Sequence, residues 1–135
     1  MNVWGDSGRG EAGHRLLNEL LELLQRLIES DEPSHIDLLA MELDEADYAL
    51  LRETLGEGEI LAQVSSFGRV SVIESGYPGV WWVTHMDDEG QVLSDFLEVS
   101  YCPEVLIVET EIIEDGFNAL KARLFEMGME RKRIE

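Results

Sequence analysis

From Gly13 to Ser30, leucines at 16, 17, 20, 21, 23, 24 and 27, with Ile28, recur at spacings of three and four. That pattern predicts an amphipathic helix with a wide buried stripe. Ser30-Asp31-Glu32-Pro33 ends it, because the residue before a proline avoids helical geometry. Ser34 to Leu39 reads as a short strand. Asp44 then caps a second helix, and Asp47 three residues later makes a shortened capping box. Tyr48, Leu51 and Leu55 share one face of this helix, and Gly56 stops it. At Glu59 the apolar period changes from 3.6 to 2. Alternation over 59–65, 69–75, 80–86 and 91–101, with turns at Phe67-Gly68, Gly76-Tyr77-Pro78-Gly79 and Asp87-Asp88-Glu89-Gly90, predicts four consecutive strands. From Thr110 to Met127 the period returns to helical, with Ile113, Phe117, Leu120, Leu124 and Met127 on one face. Gly116 inside that helix costs about 1 kcal/mol against alanine, so a close packing contact is expected there.

The order α-β-α-β-β-β-β-α predicts an α+β fold: an antiparallel sheet, built from a four-strand meander plus a short extra strand, with helices packed mainly on one face. The expected sheet spans residues 59 to 101 under the helices at 13–30 and 110–127. Residues 1–12 read as a flexible leader, 13–128 as a single α+β domain, and 129–135 as a frayed basic tail carrying Arg131, Lys132 and Arg133.

Charge narrows the partners. The chain has 135 residues and a net charge of −19. Between Arg26 and Lys121, 22 of its 29 acidic residues face two basic ones, Arg52 and Arg69. Such a surface repels phosphate backbones and anionic bilayers, so neither nucleic acid nor membrane is an expected partner. It suits either a basic partner or plain solubility. No apolar run reaches the roughly 18 residues of a membrane span, and no export signal is visible at the N-terminus. Cys102 is the one cysteine, so no intrachain disulfide forms. The expected location is the cytoplasm.

No catalytic constellation emerges. His14, His35 and His85 fall in three different elements without ligand spacing. Cys102, before Pro103 at a strand end, reads as an ordinary half-buried thiol. Gly56-Glu57-Gly58 lacks the Lys-Ser/Thr of a phosphate loop, and Asp87-Asp88-Glu89 reads as a solvated turn. No cofactor, metal or catalytic residue is expected, and the chain is read as not an enzyme. Tyr77, Trp81 and Trp82 are more informative. Adjacent strand residues point to opposite faces, so with helices on one face one tryptophan should remain on the open face, as at binding surfaces. Arg69, one of two bases in a long acidic interval, is expected to be tied to a nearby carboxylate, with Glu74 the first candidate.

The string Gly56-x-Gly58, Gly68-Arg69, then Glu74-Ser75-Gly76-Tyr77-Pro78-Gly79-Val80-Trp81-Trp82-Val83 resembles the C-terminal module of the hydrogenase expression/formation protein family, the HupH/HyaF type. The resemblance implies an accessory chaperone or scaffold for nickel–iron hydrogenase maturation. Its expected client is the iron–sulfur small-subunit precursor, which carries a twin-arginine leader, or another maturation protein. It maps a turn-forming motif onto Gly56, Gly58, Gly68, Pro78 and Gly79, with candidate partner-binding residues Arg69, Glu74, Tyr77, Trp81 and Trp82. Carboxylates can hold arginine bidentately and an exposed tryptophan can hold it by cation–π contact. The alternatives are a homodimeric adaptor and a small redox-active protein using Cys102.

Overall fold

The computed structural model describes residues 10–65 and 68–128. The expected leader up to residue 9, Phe67 of the expected turn, and the basic tail lie outside the described residues. The chain divides into two compact units, 1–103 and 104–135.

In the first unit, α1 (Glu11–Ser30) is followed by β1 (Ser34–Asp37), α2 (Glu45–Leu55), β2 (Leu61–Ser65), β3 (Arg69–Glu74), β4 (Val80–Met86) and β5 (Val92–Val99). The five strands form one antiparallel sheet in the order β1-β5-β4-β3-β2. The meander is the one the period change predicts, and the extra strand β1 adds to its β5 edge. β1 is shorter than expected because the Asp37 carboxylate accepts the Leu39 N–H at 3.0 Å, turning the chain out of the sheet.

Among the described residues the second unit holds a 3-10 turn, Glu104–Leu106, and the helix α3 (Thr110–Glu126). Along α3, Lys121 Nζ lies 5.9 Å from the centre of the Phe117 ring one turn earlier. The close contact expected at Gly116 is absent: no atom stands within 4 Å of where its Cβ would be among the described residues.

Helical cover on the sheet of the first unit comes from α1 and α2. Leu16, Leu20, Leu23 and Leu27 of α1 and Leu51 and Leu55 of α2 form one buried cluster with Ile36, Val80, Leu97 and Val99. Strand alternation delivers those sheet residues to a common face. Val80 and Trp82 stand opposite Val99 and Leu97, and Ile36 stands opposite Leu97 from the other side. The opposite parity carries Val70, Val72, Trp81 and Val83, which are also buried.

Two helices cross closely at Gly13, where a Cβ would meet the Asp47 carbonyl oxygen at 3.2 Å. Asp47 is the clamp. Its N–H donates to Asp44 Oδ1 (2.8 Å) and its Oδ2 takes the Asp44 N–H (3.0 Å), completing the capping box, while its Oδ1 takes the N–H of Gly13 in α1 (2.9 Å). Burial pushes this carboxyl up. The backbone N–H groups of Asp44 and Gly13, the Asp44 hydrogen bonding and the Arg15 charge together outweigh burial and hold it below its ordinary 3.8.

A second junction ties the end of α2 to the β3–β4 turn. Gly56, at φ 59°, ends α2 with its N–H on the Arg52 carbonyl (2.9 Å). Two residues on, the Gly58 N–H donates to the Glu74 carbonyl at 2.7 Å, the Glu59 N–H to Glu74 Oε1 at 2.9 Å, and the Gly76 N–H to the Leu55 carbonyl at 2.7 Å. The approach is so close that a Cβ on Gly58 would stand 2.5 Å from the Ser75 carbonyl oxygen. Gly79, at φ 101°, lies under Leu24 and Leu27 of α1, so the turn is seated against both helices.

Both junctions can be tested by their effect on stability. Asp47→Ala strands the buried Gly13 N–H and removes the cap, and should cost about 1–3 kcal/mol in urea denaturation. The stabilisation from the lowered Asp47 carboxyl is fully present above pH 3.8 and is lost as pH falls through the folded-state value. The wild type should therefore lose stability on acidification in that window more steeply than Asp47→Ala. Gly58→Ala should cost about 1–3 kcal/mol by overpacking, whereas Gly116→Ala, in open space at an ordinary helical φ, should cost nothing; equal effects would show the close approach to be relaxed.

Candidate functional site

Beside this junction the sheet and the last turn of α2 enclose a groove of about 540 Å³, within the range of roughly 300–1,000 Å³ typical of ligand clefts. Its apolar wall is Leu55, Ile73, Val80 and Leu97, and its charged residues are Arg52, Glu57 and Asp95. The register builds the polar end. Thr84 stands opposite Asp95 on the neighbouring strand, so its hydroxyl donates to Asp95 Oδ1 at 2.8 Å. The indole N–H of Trp82, two residues earlier on the same face, donates to the same oxygen at 2.7 Å. Asp95 thereby fixes the plane of the Trp82 ring.

Tyr48 and Arg52, one turn apart on α2, complete the arrangement. The Tyr48 ring stacks on Trp82 with centroids 6.5 Å apart and an interplanar angle of 30°. The Arg52 guanidinium sits 5.4 Å from the Tyr48 centroid and 5.8 Å from the Trp82 centroid, within cation–π range. Burial pushes the Tyr48 hydroxyl up, the Asp95 and Asp37 charges add to the rise, and Arg52 partly offsets it.

The five sequence-predicted partner residues do not converge. Trp82 lies in the groove. Trp81, on the opposite sheet face, is 5% exposed, and its indole N–H ends on the Ser100 carbonyl at 3.0 Å. The tryptophan expected on the open face is thus the buried one, and the half-buried one lies on the helix-bearing face. Tyr77 is exposed at the β3–β4 turn and lines a separate depression with Leu17, Leu21 and Thr54.

The expected Arg69–Glu74 pair is not formed. Five residues apart on one strand, they project from opposite faces about 17 Å apart, and Glu74 spends its carboxylate on the Glu59 N–H. The turn-forming residues fall on the two segments of the junction, Gly56 and Gly58 after α2 and Pro78 and Gly79 in the β3–β4 turn, while Gly68 packs at the far end of β3, where a Cβ would strike the Met86 carbonyl. Sequence reasoning missed Tyr48, Arg52 and Asp95. The signal available was the i,i+4 spacing of Tyr48 and Arg52.

The other chemical candidates stay apart. His85 stands opposite Ser94, near the start of β5, while Cys102 lies beyond its end. His35 packs edge-on against Phe96. Cys102 is exposed rather than half-buried. Asp87 Oδ1 accepts the N–H groups of Glu89 (2.8 Å) and Gln91 (2.9 Å), so that carboxylate shapes its own turn. Among the described residues no cluster of three or more His, Cys, Asp or Glu has metal-site geometry, and no helix is long and apolar enough to cross a membrane.

Comparisons with known proteins agree with one another. The HupH hydrogenase expression protein, C-terminal conserved region, matches residues 11–127. The chain is 28% identical over 120 residues to the hydrogenase expression/formation protein HoxQ of Azotobacter vinelandii, covering 83% of this chain and 42% of that protein. It is 34% identical over 91 residues to HoxQ of Cupriavidus necator, covering 67% of this chain and 31% of that protein. It thus spans less than half the length of these curated relatives. The solved structure of the hydrogenase expression protein HupH from Thiobacillus denitrificans superposes with a TM-score of 0.82 at 34% identity, covering 86% of this chain and 97% of that one. The fold, the junction glycines and these matches lead to one assignment: the chain belongs to the HupH hydrogenase expression protein family, through its C-terminal conserved region.

Proposed function

We propose that this chain is a non-catalytic chaperone or scaffold in the cytoplasm that acts on the iron–sulfur small-subunit precursor during nickel–iron hydrogenase maturation. The reading rests on the family match over residues 11–127, which extends across all the elements of the sheet and helices. Two features of the molecule support a client-holding role. The interval from Arg26 to Lys121 sets 22 acids against two bases, a field that draws a basic segment toward the surface. The groove beside α2 offers an apolar wall with a fixed aromatic ring at one end, suited to a segment that is both cationic and apolar.

Isothermal calorimetry with the small-subunit precursor, with and without its leader, tests the proposal. The expected result is binding that weakens as salt rises, since the Debye length shrinks to about 10 Å at 0.1 M, and that is tighter for the form carrying the leader. No binding to either form at low salt would overturn the client assignment. Equal, salt-independent binding of both forms would remove the leader from the mechanism.

A further inference from the structure

We infer that the groove holds an extended partner segment in which an arginine precedes a run of apolar side chains, and that Arg52 keeps the guanidinium position occupied until that segment displaces it. The inference deepens the client-holding reading and rests on it only for who the partner is.

The chain's own geometry shows that a guanidinium fits. Arg52 lies over two stacked rings, at 5.4 and 5.8 Å from their centroids, and Asp95 locks one of those rings in place through a 2.7 Å hydrogen bond. The Trp82 and Thr84 donors to Asp95 both converge on Oδ1. Among the described residues no donor reaches Oδ2, which leaves that oxygen for a ligand. Arg52 itself is exposed and, among the described residues, makes no ion pair in a chain crowded with carboxylates. Among the described residues its side chain is held by the two rings, and an exposed cation–π contact is worth only about 0.5–1 kcal/mol.

An incoming arginine therefore exchanges like for like at the rings. The net gain comes from the apolar side chains behind it, which cover the apolar surface the groove still exposes on Ile73, Trp82 and Val92, above the buried Leu55, Val80 and Leu97. Charge points the same way. With Arg52 swung out, the remaining charged lining residues are Glu57 and Asp95, so the emptied site favours a cation. An acidic segment would instead use Arg52 as its receptor.

These two uses of Arg52 predict opposite mutant effects. The probe is a blocked synthetic peptide with two adjacent arginines ahead of a run of apolar residues, titrated into the ¹⁵N-labelled chain. The reporters are the Trp82 indole N–H, assigned by its absence in Trp82→Phe, and the Gly56 amide. Binding should shift both. Arg52→Ala, at an exposed position, should bind the peptide about threefold to fivefold more tightly, the in-chain competitor being gone. Asp95→Asn can retain an acceptor for the indole but loses the charge, and should bind about threefold or more weakly, as should the wild type with a lysine-for-arginine peptide.

The inference is overturned if Arg52→Ala binds no more tightly, if the lysine peptide binds equally well, or if the Trp82 indole does not move. If the precursor binds in calorimetry while the peptide leaves Trp82 unmoved, the groove assignment fails alone. If the peptide seats in the groove and the precursor does not bind, the client assignment fails and the groove stands.

Discussion

The close approach of Gly58 to Glu74 and Ser75 is the constraint on which the arrangement of the first unit turns. There the loop leaving α2 runs against the β3–β4 turn with no room for a side chain, and three hydrogen bonds from Gly58, Glu59 and Gly76 stitch the two segments together. Each segment thus donates to acceptors on the other, Gly58 and Glu59 to Glu74 and Gly76 to Leu55. The consequence reaches beyond the turn. Anchoring the C-terminal end of α2 sets where Arg52 and Leu55 stand over the sheet, and so sets one wall of the groove. The N-terminal end of the same helix is held by Asp47, which binds α1 through Gly13. With both ends tied, α2 presents Tyr48 and Arg52 in one orientation to Trp82.

The glycine-rich string is therefore largely architectural, and Tyr48, Arg52 and Asp95 of the groove stand outside it. Arg69 and Glu74 illustrate the distinction. Glu74 belongs to the junction through both its carbonyl and its carboxylate, and Arg69 lies on the other sheet face. Trp81 likewise has its polar atom committed to the Ser100 carbonyl inside the fold. Only Trp82, among the residues the string suggests for binding, reaches the groove.

The regular architecture was legible because local rules and tertiary packing agree. The leucine spacing of α1, the Asp44–Asp47 box and the alternation after Glu59 each reappear as observed elements. The site was less legible for a physical reason. Strand parity separates Trp81 from Trp82 but does not say which face is covered, and charge counting does not say that Glu74 is used locally by Glu59. Tyr48, Arg52 and Asp95 lie on one helix and on a strand more than forty positions later. Their meeting depends on how α2 is pinned over the sheet, which no short-range pattern reports. The resemblance to the family supplied the biological setting but singled out the framework.

Hydrogen–deuterium exchange of the chain alone and with the small-subunit precursor tests most directly whether this groove is where a partner is held. Slowed exchange is expected to concentrate at residues 52–58 and 92–97, on the two sides of the groove. Unchanged exchange at both segments, with new protection elsewhere on the chain, would show that the partner is held at another surface.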